Sequence, residues 1–522
     1  MSKHYESGRG LQEKILEGVD ILADNVASTL GPRGRNVVLY KVGAPSPIIT
    51  KDGVTVAKFV DLDDPVQNVG AQLVKQAASQ TNTNAGDGTT TATVLAREIL
   101  VQAQRHLVAG SSPVELKRGM DKAVTVVVDY IKDMSVPVSS EEDVRHIATI
   151  SANGDTSVGD LVTMAVDQAG KDGAITIEEA RSSETSLNVV EGFRFDAGYF
   201  ARAFVTDERR EIVKYDSPLM LVTDYKIDAV EEIYPVLELV ARDTRPLILV
   251  SEEVEGQALA ALIMNSQRGT LKVAAVKAPR YGEERREILK DLAIATGATF
   301  ITRDSGLSLK DVKLSHLGSC KTIEVEKNFT TIVDGKGSAE IVEERIDSIK
   351  EQILETSDLY RCEKLQERIS RLASGIAIIH VGAPTEVEMI EKKHRIEDAL
   401  EAVKSAQAEG MIPGGGRALL TASKLDVPTD NEEQAIGARI VLESLCAPIK
   451  QMANNAGESA DIVLNKVMES EDNIGYNFAT GKLEDMFAAG IIDPAKVTRV
   501  ALQNAVSVSS TLITTNFSII ET

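Results

Sequence analysis

Residues 84–96 read NAGDGTTTATVLA, a glycine- and threonine-rich stretch that runs directly into a helix-forming segment. Glycines allow backbone N–H groups to close around an anion, and the first turn of a helix adds unpaired donors and a positive dipole end. Threonine hydroxyls can cap the helix or contact phosphate oxygens. The pattern is typical of a loop that binds phosphate.

Asp87 lies in the middle of this loop. A carboxylate repels bare phosphate, so Asp87 makes chemical sense chiefly as a ligand of Mg²⁺, which favours carboxylate oxygen. On the loop alone, a capped helix after a flexible turn is the simpler alternative. The chain contains neither GxxxxGK[ST] nor GxGxxG, so the loop is not one of the two common phosphate-binding motifs.

Three other positions could carry chemistry. Asp52, in Lys51-Asp52-Gly53, could position a water or hold a metal, although a turn aspartate is the first interpretation of the residue alone. Asp398 lies in the helical run MIEKKHRIEDALEAV, where a solvated helix face is the first interpretation. The glycines 414–416 precede RALLTASKL, and either a flexible connection or a second phosphate loop fits them.

Outward from the loop, apolar residues recur at helical spacing from Leu11 to Val26, and Gly31-Pro32 is expected to end that helix. A strand is predicted at 36–40. Two further β runs, 48–50 and 54–57, flank Lys51-Asp52-Gly53 as a hairpin-like turn. Helices are predicted over 65–84, 89–108 and 113–134.

The centre of the chain has a different pattern. From about 192 to 375 short apolar runs alternate with helical segments, which is typical of an α/β domain. Polar helices are predicted over 338–373 and 385–409, and the remainder to about 510 is mainly helical.

Composition limits the possible partners. At 522 residues the chain is long enough for about three domains. Lys and Arg total 57 against 79 Asp and Glu, for a formal charge of −22. Such an acidic chain is repelled by nucleic acid and by anionic lipid, so neither is expected as a partner.

Residue usage also indicates the compartment. The three cysteines lie far apart without a CxxC pair, which argues against disulfides and zinc. No apolar run approaches the length of a membrane span, and the N-terminal residues lack an apolar signal segment. We therefore expect a cytoplasmic protein.

The order of the motifs resembles that of group I chaperonins, the bacterial GroEL type. The similar segments are TLGPRGRNVVL (29–39), ITKDGVTVA (49–57), NAGDGTTTATVLA (84–96), TISAN (149–153), VEGFRFDAGY (190–199), EVEMIEKKHRIEDAL (386–400), PGGG (413–416) and GIIDPAKVTR (490–499). The resemblance extends from about residue 5 to about residue 516.

This resemblance implies a multidomain GroEL-like fold. A mainly helical equatorial domain that binds ATP would be formed by 1–134 and 410–522. A small α+β intermediate hinge domain would be formed by 135–191 and 376–409, and an α/β apical domain that binds substrate by 192–375.

The resemblance also implies a nucleotide site with Mg²⁺ and K⁺. Lys51 is expected beside the phosphates and K⁺, Asp87 on Mg²⁺, and Asp398 as the residue that orients the attacking water, with Asp52 assisting. The other nucleotide contacts expected are Thr29, Leu30, Gly31, Pro32, Gly88, Thr89, Thr90, Thr91, Gly415, Asn477, Phe478, Ala479 and Asp493. Phe478 is larger than the small residue expected there, so the adenine pocket is expected to be reshaped.

Polypeptide substrate is expected on apolar apical positions. These are Tyr199, Phe204, Tyr234, Leu237, Leu259, Ile263 and Met264. The spacings 234/237 and 259/263 predict apolar groups on single faces of two helices. The alternative is that these stripes are core.

The function implied is an ATPase that folds non-native polypeptides inside a homo-oligomeric seven-subunit ring, single or double, with a co-chaperonin lid. Lys450 and Ser459 stand where the bacterial pattern carries an arginine and a glutamate between rings, so a weak contact between rings is expected. An ATPase-deficient holdase or moonlighting binding protein and a small-molecule kinase are the alternatives.

Overall fold

The structure is a computed structural model that describes residues 3–41, 47–169, 174–180, 182–356, 359–373 and 375–521. The chain divides into two compact units. The first comprises Met1–Met164, Glu179–Glu184 and Val381–Thr522, and the second comprises Ala165–Glu178 and Thr185–His380.

The helices are α1 (Gly8–Ala27), α2 (Gly53–Phe59), α3 (Pro65–Ala85), α4 (Thr89–Val108), α5 (Pro113–Met134), α6 (Glu141–Ser151), α7 (Thr156–Ala169), α8 (Val230–Asp243), α9 (Gly256–Gln267), α10 (Gly282–Thr296), α11 (Ala339–Glu355), α12 (Leu359–Ala373), α13 (Glu386–Glu409), α14 (Arg417–Ala422), α15 (Glu432–Ser444), α16 (Ala447–Ala456), α17 (Ala460–Met468) and α18 (Ala495–Ile513). The helices predicted over 65–84, 89–108 and 113–134 are confirmed as α3, α4 and α5.

The strands are β1 (Lys3–Ser7), β2 (Val37–Leu39), β3 (Ile48–Thr50), β4 (Ala174–Glu179), β5 (Ser186–Phe195), β6 (Val213–Asp216), β7 (Leu219–Val222), β8 (Lys226–Ile227), β9 (Leu247–Ser251), β10 (Glu253–Val254), β11 (Val273–Lys277), β12 (Gly318–Val325), β13 (Thr330–Gly335), β14 (Gly375–Val381), β15 (Met411–Pro413), β16 (Ile474–Asn477), β17 (Lys482–Asp485), β18 (Ile492–Pro494) and β19 (Phe517–Glu521).

The core of the first unit is helical and is built from both ends of the chain. Helix α1 buries the stripe that begins with Leu11 and Ile15, as its spacing predicts. Leu95 of α4 and Leu502 of α18 lie in the same buried cluster, although they are far apart in sequence. Strands β1 and β19 pair antiparallel, with Lys3 opposite Glu521.

The prediction of a β run at 54–57 is wrong, because these residues form α2. The Asp52 carboxylate accepts hydrogen bonds from the backbone N–H groups of Val54 and Thr55 at 3.0 and 3.1 Å. This cap begins a helix and outweighs the β preference of the valines and the threonine. Only β2 and β3 pair with each other here, in antiparallel register.

The second unit contains a nine-stranded mixed sheet in the order β11-β9-β7-β12-β13-β5-β14-β4, with β6 paired to β12. Strands β7, β9 and β11 are parallel and almost entirely buried, as expected for strands covered on both faces. The prediction of an α/β centre is confirmed. The helix predicted over 338–373 is found as α11 and α12, and residues 357–358 lie outside the described part.

Buried ion pairs fix α11 and α12 to α10. Asp291 of α10 is 1% exposed and accepts hydrogen bonds from Arg345 at 2.8 Å and from Arg368 at 2.7 Å. Glu287, one turn earlier, accepts from the same two arginines at 2.7 and 3.1 Å. Each charge is thus paired, which burial requires.

The predicted intermediate domain is not separated as a unit of its own. Residues 135–164 and 381–409 belong to the first unit, together with both chain ends. The boundaries of the three domains stay a prediction.

Candidate functional site

A cavity of about 440 Å³ lies in the first unit. It is lined by every residue that the sequence predicts for nucleotide binding or hydrolysis, namely Thr29, Leu30, Gly31, Pro32, Lys51, Asp52, Asp87, Gly88, Thr89, Thr90, Thr91, Asp398, Gly415, Asn477, Phe478, Ala479 and Asp493. These positions come from seven separate segments of the sequence. Their contact with a nucleotide stays a prediction.

The phosphate loop joins α3 to α4 with two glycines in the left-handed region, Gly86 at φ 73° and Gly88 at φ 87°. A Cβ on Gly86 would lie 2.1 Å from Glu401 Cβ, so no larger residue fits. Gly88 precedes α4 and offers no side chain to cap it. The first backbone N–H groups of α4 therefore remain available to donate hydrogen bonds to an anion.

Asp87 is held at both oxygens. Gly88 donates its N–H to Oδ1 at 2.5 Å, and the Ser151 hydroxyl donates to Oδ2 at 3.1 Å. Burial raises the pKa of Asp87 despite these bonds, and the negative charge of Asp52 adds to the rise. Burial and the charge of Asp87 raise the pKa of Asp493 to about 7.

These acids fit a divalent cation that is shared with a ligand. Repulsion between the charges of Asp87 and Asp493 would be relieved by a bound Mg²⁺. Across the described ranges no three acid, histidine or cysteine side chains are grouped to hold a metal by themselves. Mg²⁺ commonly binds through one or two carboxylates together with substrate phosphates, and the acids of this cavity fit that arrangement.

Lys51 brings a positive charge to the cavity. Its ammonium donates to the Gly31 carbonyl at 3.0 Å. Burial lowers the pKa of Lys51, and the positive charge of Arg395 lowers it further. The K⁺ expected beside Lys51 stays a prediction.

The two predicted catalytic acids differ in their surroundings. Asp398 is half-buried on α13 and lines the cavity, so the alternative of a solvated helix face is wrong. The reason is that α13 buries the neighbouring Ile396 and Ala399 and brings this face against the unit. Asp52 lines the cavity and also caps α2.

The wall formed by 477–479 follows β16. The Asn477 amide donates to Glu484 at 2.7 Å, and its oxygen accepts from the Ala479 N–H at 2.9 Å. The Phe478 ring lies 5.0 Å from the Tyr476 ring at an angle of 62°. Phe478 is only 5% exposed, because it packs in a small apolar cluster that includes Met452. The large side chain thus forms part of the wall.

The family model of the TCP-1/cpn60 chaperonin family matches residues 22–522. The chain belongs to the TCP-1/cpn60 chaperonin family. It is also similar to the crystal structure of the chaperonin gp146 from the bacteriophage EL 2 (Pseudomonas aeruginosa), which was determined in the presence of ATP-BeFx. That match has a TM-score of 0.66 at 21% identity and covers 99% of each chain. The fold is therefore the multidomain chaperonin fold that the motifs imply.

Several residues of this chaperonin that line the cavity were not predicted. Ser151 lies in TISAN, a segment already quoted for the resemblance. Its hydroxyl was the sequence signal that could have identified it as a polar residue of the site. Met452 and Tyr476 lie outside the segments quoted for the resemblance, whereas Ile491 lies in GIIDPAKVTR as an apolar residue without a chemical signal of its own.

The apical positions of the chaperonin divide into two groups. Tyr199, Phe204 and Leu237 are buried at 8%, 1% and 7% exposure, so their expected exposure to substrate is wrong. Tyr234 and Met264 are exposed at 60% and 49%.

Helix geometry explains part of this division. Helix α8 buries Ile233, Val236, Leu237 and Val240, so Leu237 belongs to the core stripe and Tyr234 does not share its face. Leu259 and Ile263 of α9 are both partly exposed at the edge of the core. Polypeptide binding stays a prediction for Tyr234, Leu259, Ile263 and Met264.

Among the described residues, no helix of the chaperonin is both long and apolar enough to cross a membrane.

Proposed function

We propose that this chaperonin hydrolyses ATP in the cavity of the first unit and uses ATP binding and hydrolysis to promote the folding of non-native polypeptides. The observation that carries the proposal is that all the predicted nucleotide residues and both predicted catalytic acids line one cavity. The ATP-BeFx present in the similar phage chaperonin crystal supports a nucleotide as the ligand.

Each part of the cavity has a role in this proposal. The N–H groups at the start of α4 and the hydroxyls of Thr89, Thr90 and Thr91 bind the phosphates. Lys51 contributes a positive charge beside them. Asp87, held by Gly88 and Ser151, serves as the Mg²⁺ ligand. Bound Mg²⁺ supplies charge neutralisation at the phosphates.

Asp398 orients the attacking water, and Asp52 assists from the N-terminus of α2. In phosphoryl transfer the protein mainly positions groups and stabilises charge, so a carboxylate together with Mg²⁺ is sufficient. In this proposal Asp52 acts from the cavity wall while its carboxylate caps α2, accepting from the backbone N–H groups of Val54 and Thr55 and from the Thr55 hydroxyl.

The remaining expectations belong to the same proposal. The exposed Tyr234 and Met264, together with the partly exposed Leu259 and Ile263, bind hydrophobic segments of unfolded chains. The subunits form a seven-membered ring in the cytoplasm, a co-chaperonin closes it, and K⁺ accompanies the nucleotide.

ATP hydrolysis by the full-length protein, measured with and without an unfolded protein, tests the proposal. We expect Mg²⁺-dependent turnover, together with recovery of activity by a chemically unfolded enzyme only when ATP is present. Capture of unfolded protein without ATP turnover would instead identify a holdase, and the intact Asp52, Asp87 and Asp398 argue against that outcome.

A further inference from the structure

Arg417 is fully buried, which is unusual for an arginine. It is the first residue of α14 and directly follows the glycine loop of 414–416, of which Gly415 and Gly416 line the cavity. Its backbone N–H donates to the Gly414 carbonyl at 3.1 Å. Arg417 therefore stands in the chain between Gly416 and Ala418, which both line the cavity.

The guanidinium of Arg417 binds backbone carbonyls at the end of α17. Nη1 donates to Val467 at 2.9 Å, and Nε donates to Asp472 at 2.9 Å. Nη2 donates to Glu471 at 3.0 Å and to Ser470 at 3.4 Å. The last carbonyls of a helix have no partner within the helix, and a cation there also interacts well with the helix dipole.

The segment held by Arg417 leads to another part of the cavity wall. The carbonyls of 470–472 belong to the turn that enters β16. Strand β16 ends at Asn477, which lines the cavity with Phe478 and Ala479. One buried side chain thus joins the glycine loop to the wall formed by 477–479.

We infer that Arg417 is a positioning residue that sets the wall of 477–479 against the glycine loop. The inference rests on the proposed nucleotide function, because that wall is expected on the adenine and ribose side. Burying a cation is costly, and apolar replacements of buried charges often cost little stability. A guanidinium with several directed donors defines a geometry that neither an apolar side chain nor a lysine reproduces.

The test uses Arg417→Lys and Arg417→Met in the full-length protein. We expect the KM for ATP to rise about tenfold with little change in kcat, because Asp398, Asp52 and Asp87 lie on other elements. Affinity for inorganic triphosphate should stay unchanged, since that probe lacks the adenosine part. Lys424→Met is the matched control: exposed Lys424 donates to the Met468 carbonyl at the same helix end at 3.1 Å, and its loss should leave both affinities unchanged.

Unchanged KM for ATP in both arginine variants would overturn the inference, and so would an equal loss of affinity for ATP and triphosphate. Variants that lose their circular dichroism signal at 25 °C would also overturn it, because Arg417 would then serve the fold as a whole. A wild-type protein that does not bind ATP would refute the proposed function itself, which separates that failure from the others.

Discussion

At the scale of single residues, Asp398 is the acid whose removal tests hydrolysis most directly. We predict that Asp398→Ala retains ATP binding but slows hydrolysis by roughly 10²-fold, because the water loses the carboxylate that orients it. Phosphate release at saturating ATP measures the rate, and equilibrium binding measures affinity. Glu388→Ala, an exposed acid on the same helix, is the control. Near-normal turnover in Asp398→Ala would contradict the assignment.

Replacement of Asp87 tests whether this residue binds Mg²⁺. Asp87→Asn keeps the size of the side chain but removes the charge that attracts Mg²⁺, so we predict that hydrolysis falls to background at millimolar Mg²⁺. A titration of the rate with Mg²⁺ measures this effect. Asp160→Asn, which alters an exposed acid of α7, should follow the wild-type curve. Equal Mg²⁺ dependence in wild type and Asp87→Asn would exclude Asp87 as the ligand.

Some of the predicted cavity residues carry a local signal, whereas others, such as Asn477 and Asp493, were expected only from the family resemblance. Gly86 and Gly88 adopt backbone angles that favour glycine, and Asp87 stands between them. Such positions can be recognised in a motif because the chemistry lies in the residue itself. Tyr476 and Met452 reach the cavity only through tertiary packing, which leaves no comparable pattern.

At the scale of elements, two predictions were wrong, because the residues of the segment alone did not show the contacts that decided its structure. The cap by Asp52 turned a β-like run into α2. In α8, a spacing of three residues was compatible with one face, but the core covers the stripe that contains Leu237 and leaves Tyr234 exposed. Helix positions were otherwise predictable, because apolar periodicity is a property of the sequence.

The ion pairs on α10 make the second unit sensitive to acid. Burial alone would raise the pKa of Glu287, but hydrogen bonds from Lys290 and Arg345 outweigh it and lower the pKa to about 2. The pKa of a glutamate in an unfolded chain is about 4.3. The stabilisation is therefore complete above that pH and is lost as the pH falls toward 2.

We predict that Glu287→Gln lowers the urea midpoint of the second unit at pH 7. In this variant the urea midpoint should also fall less steeply between pH 4.5 and 2 than in the wild type. Urea unfolding followed by circular dichroism at several pH values measures both effects. Glu283→Gln, an exposed change on the same helix, should keep the wild-type pH dependence. Identical slopes for the two variants would rule out this role of Glu287.

At the scale of the whole molecule, capture of substrate and hydrolysis of ATP are assigned to different units. We predict that Met264→Glu and Tyr234→Glu reduce capture of an unfolded protein at least several-fold while ATP turnover without client is retained, because charge opposes apolar contact. Co-sedimentation with a labelled unfolded protein measures capture. Leu237→Glu should instead destabilise the unit, since Leu237 is buried. Full capture by both exposed variants would place the binding surface elsewhere.

The predicted weak contact between rings concerns Lys450 and Ser459. An exposed Arg–Glu pair contributes only about 0–1 kcal/mol, but a ring repeats its loss in every subunit. We predict that any double ring separates into single rings at low protein concentration and high salt, where ion pairs are screened. Native mass spectrometry measures the particle mass, and Lys450→Arg with Ser459→Glu should restore the double ring. A double ring of wild type that survives these conditions would contradict the prediction.

The core of the first unit contains residues from both chain ends, and this has a consequence for biosynthesis. Leu95 cannot bury itself against Leu502 until the ribosome has added the roughly 400 residues between them, which takes on the order of 20–80 s at common elongation rates. Most of the second unit, Thr185–His380, is one continuous segment, so it has left the ribosome before the C-terminal part of the first unit is made. During this interval the helices made first have an uncovered apolar side, so we expect the nascent chain to be prone to aggregation until its C-terminal part is made.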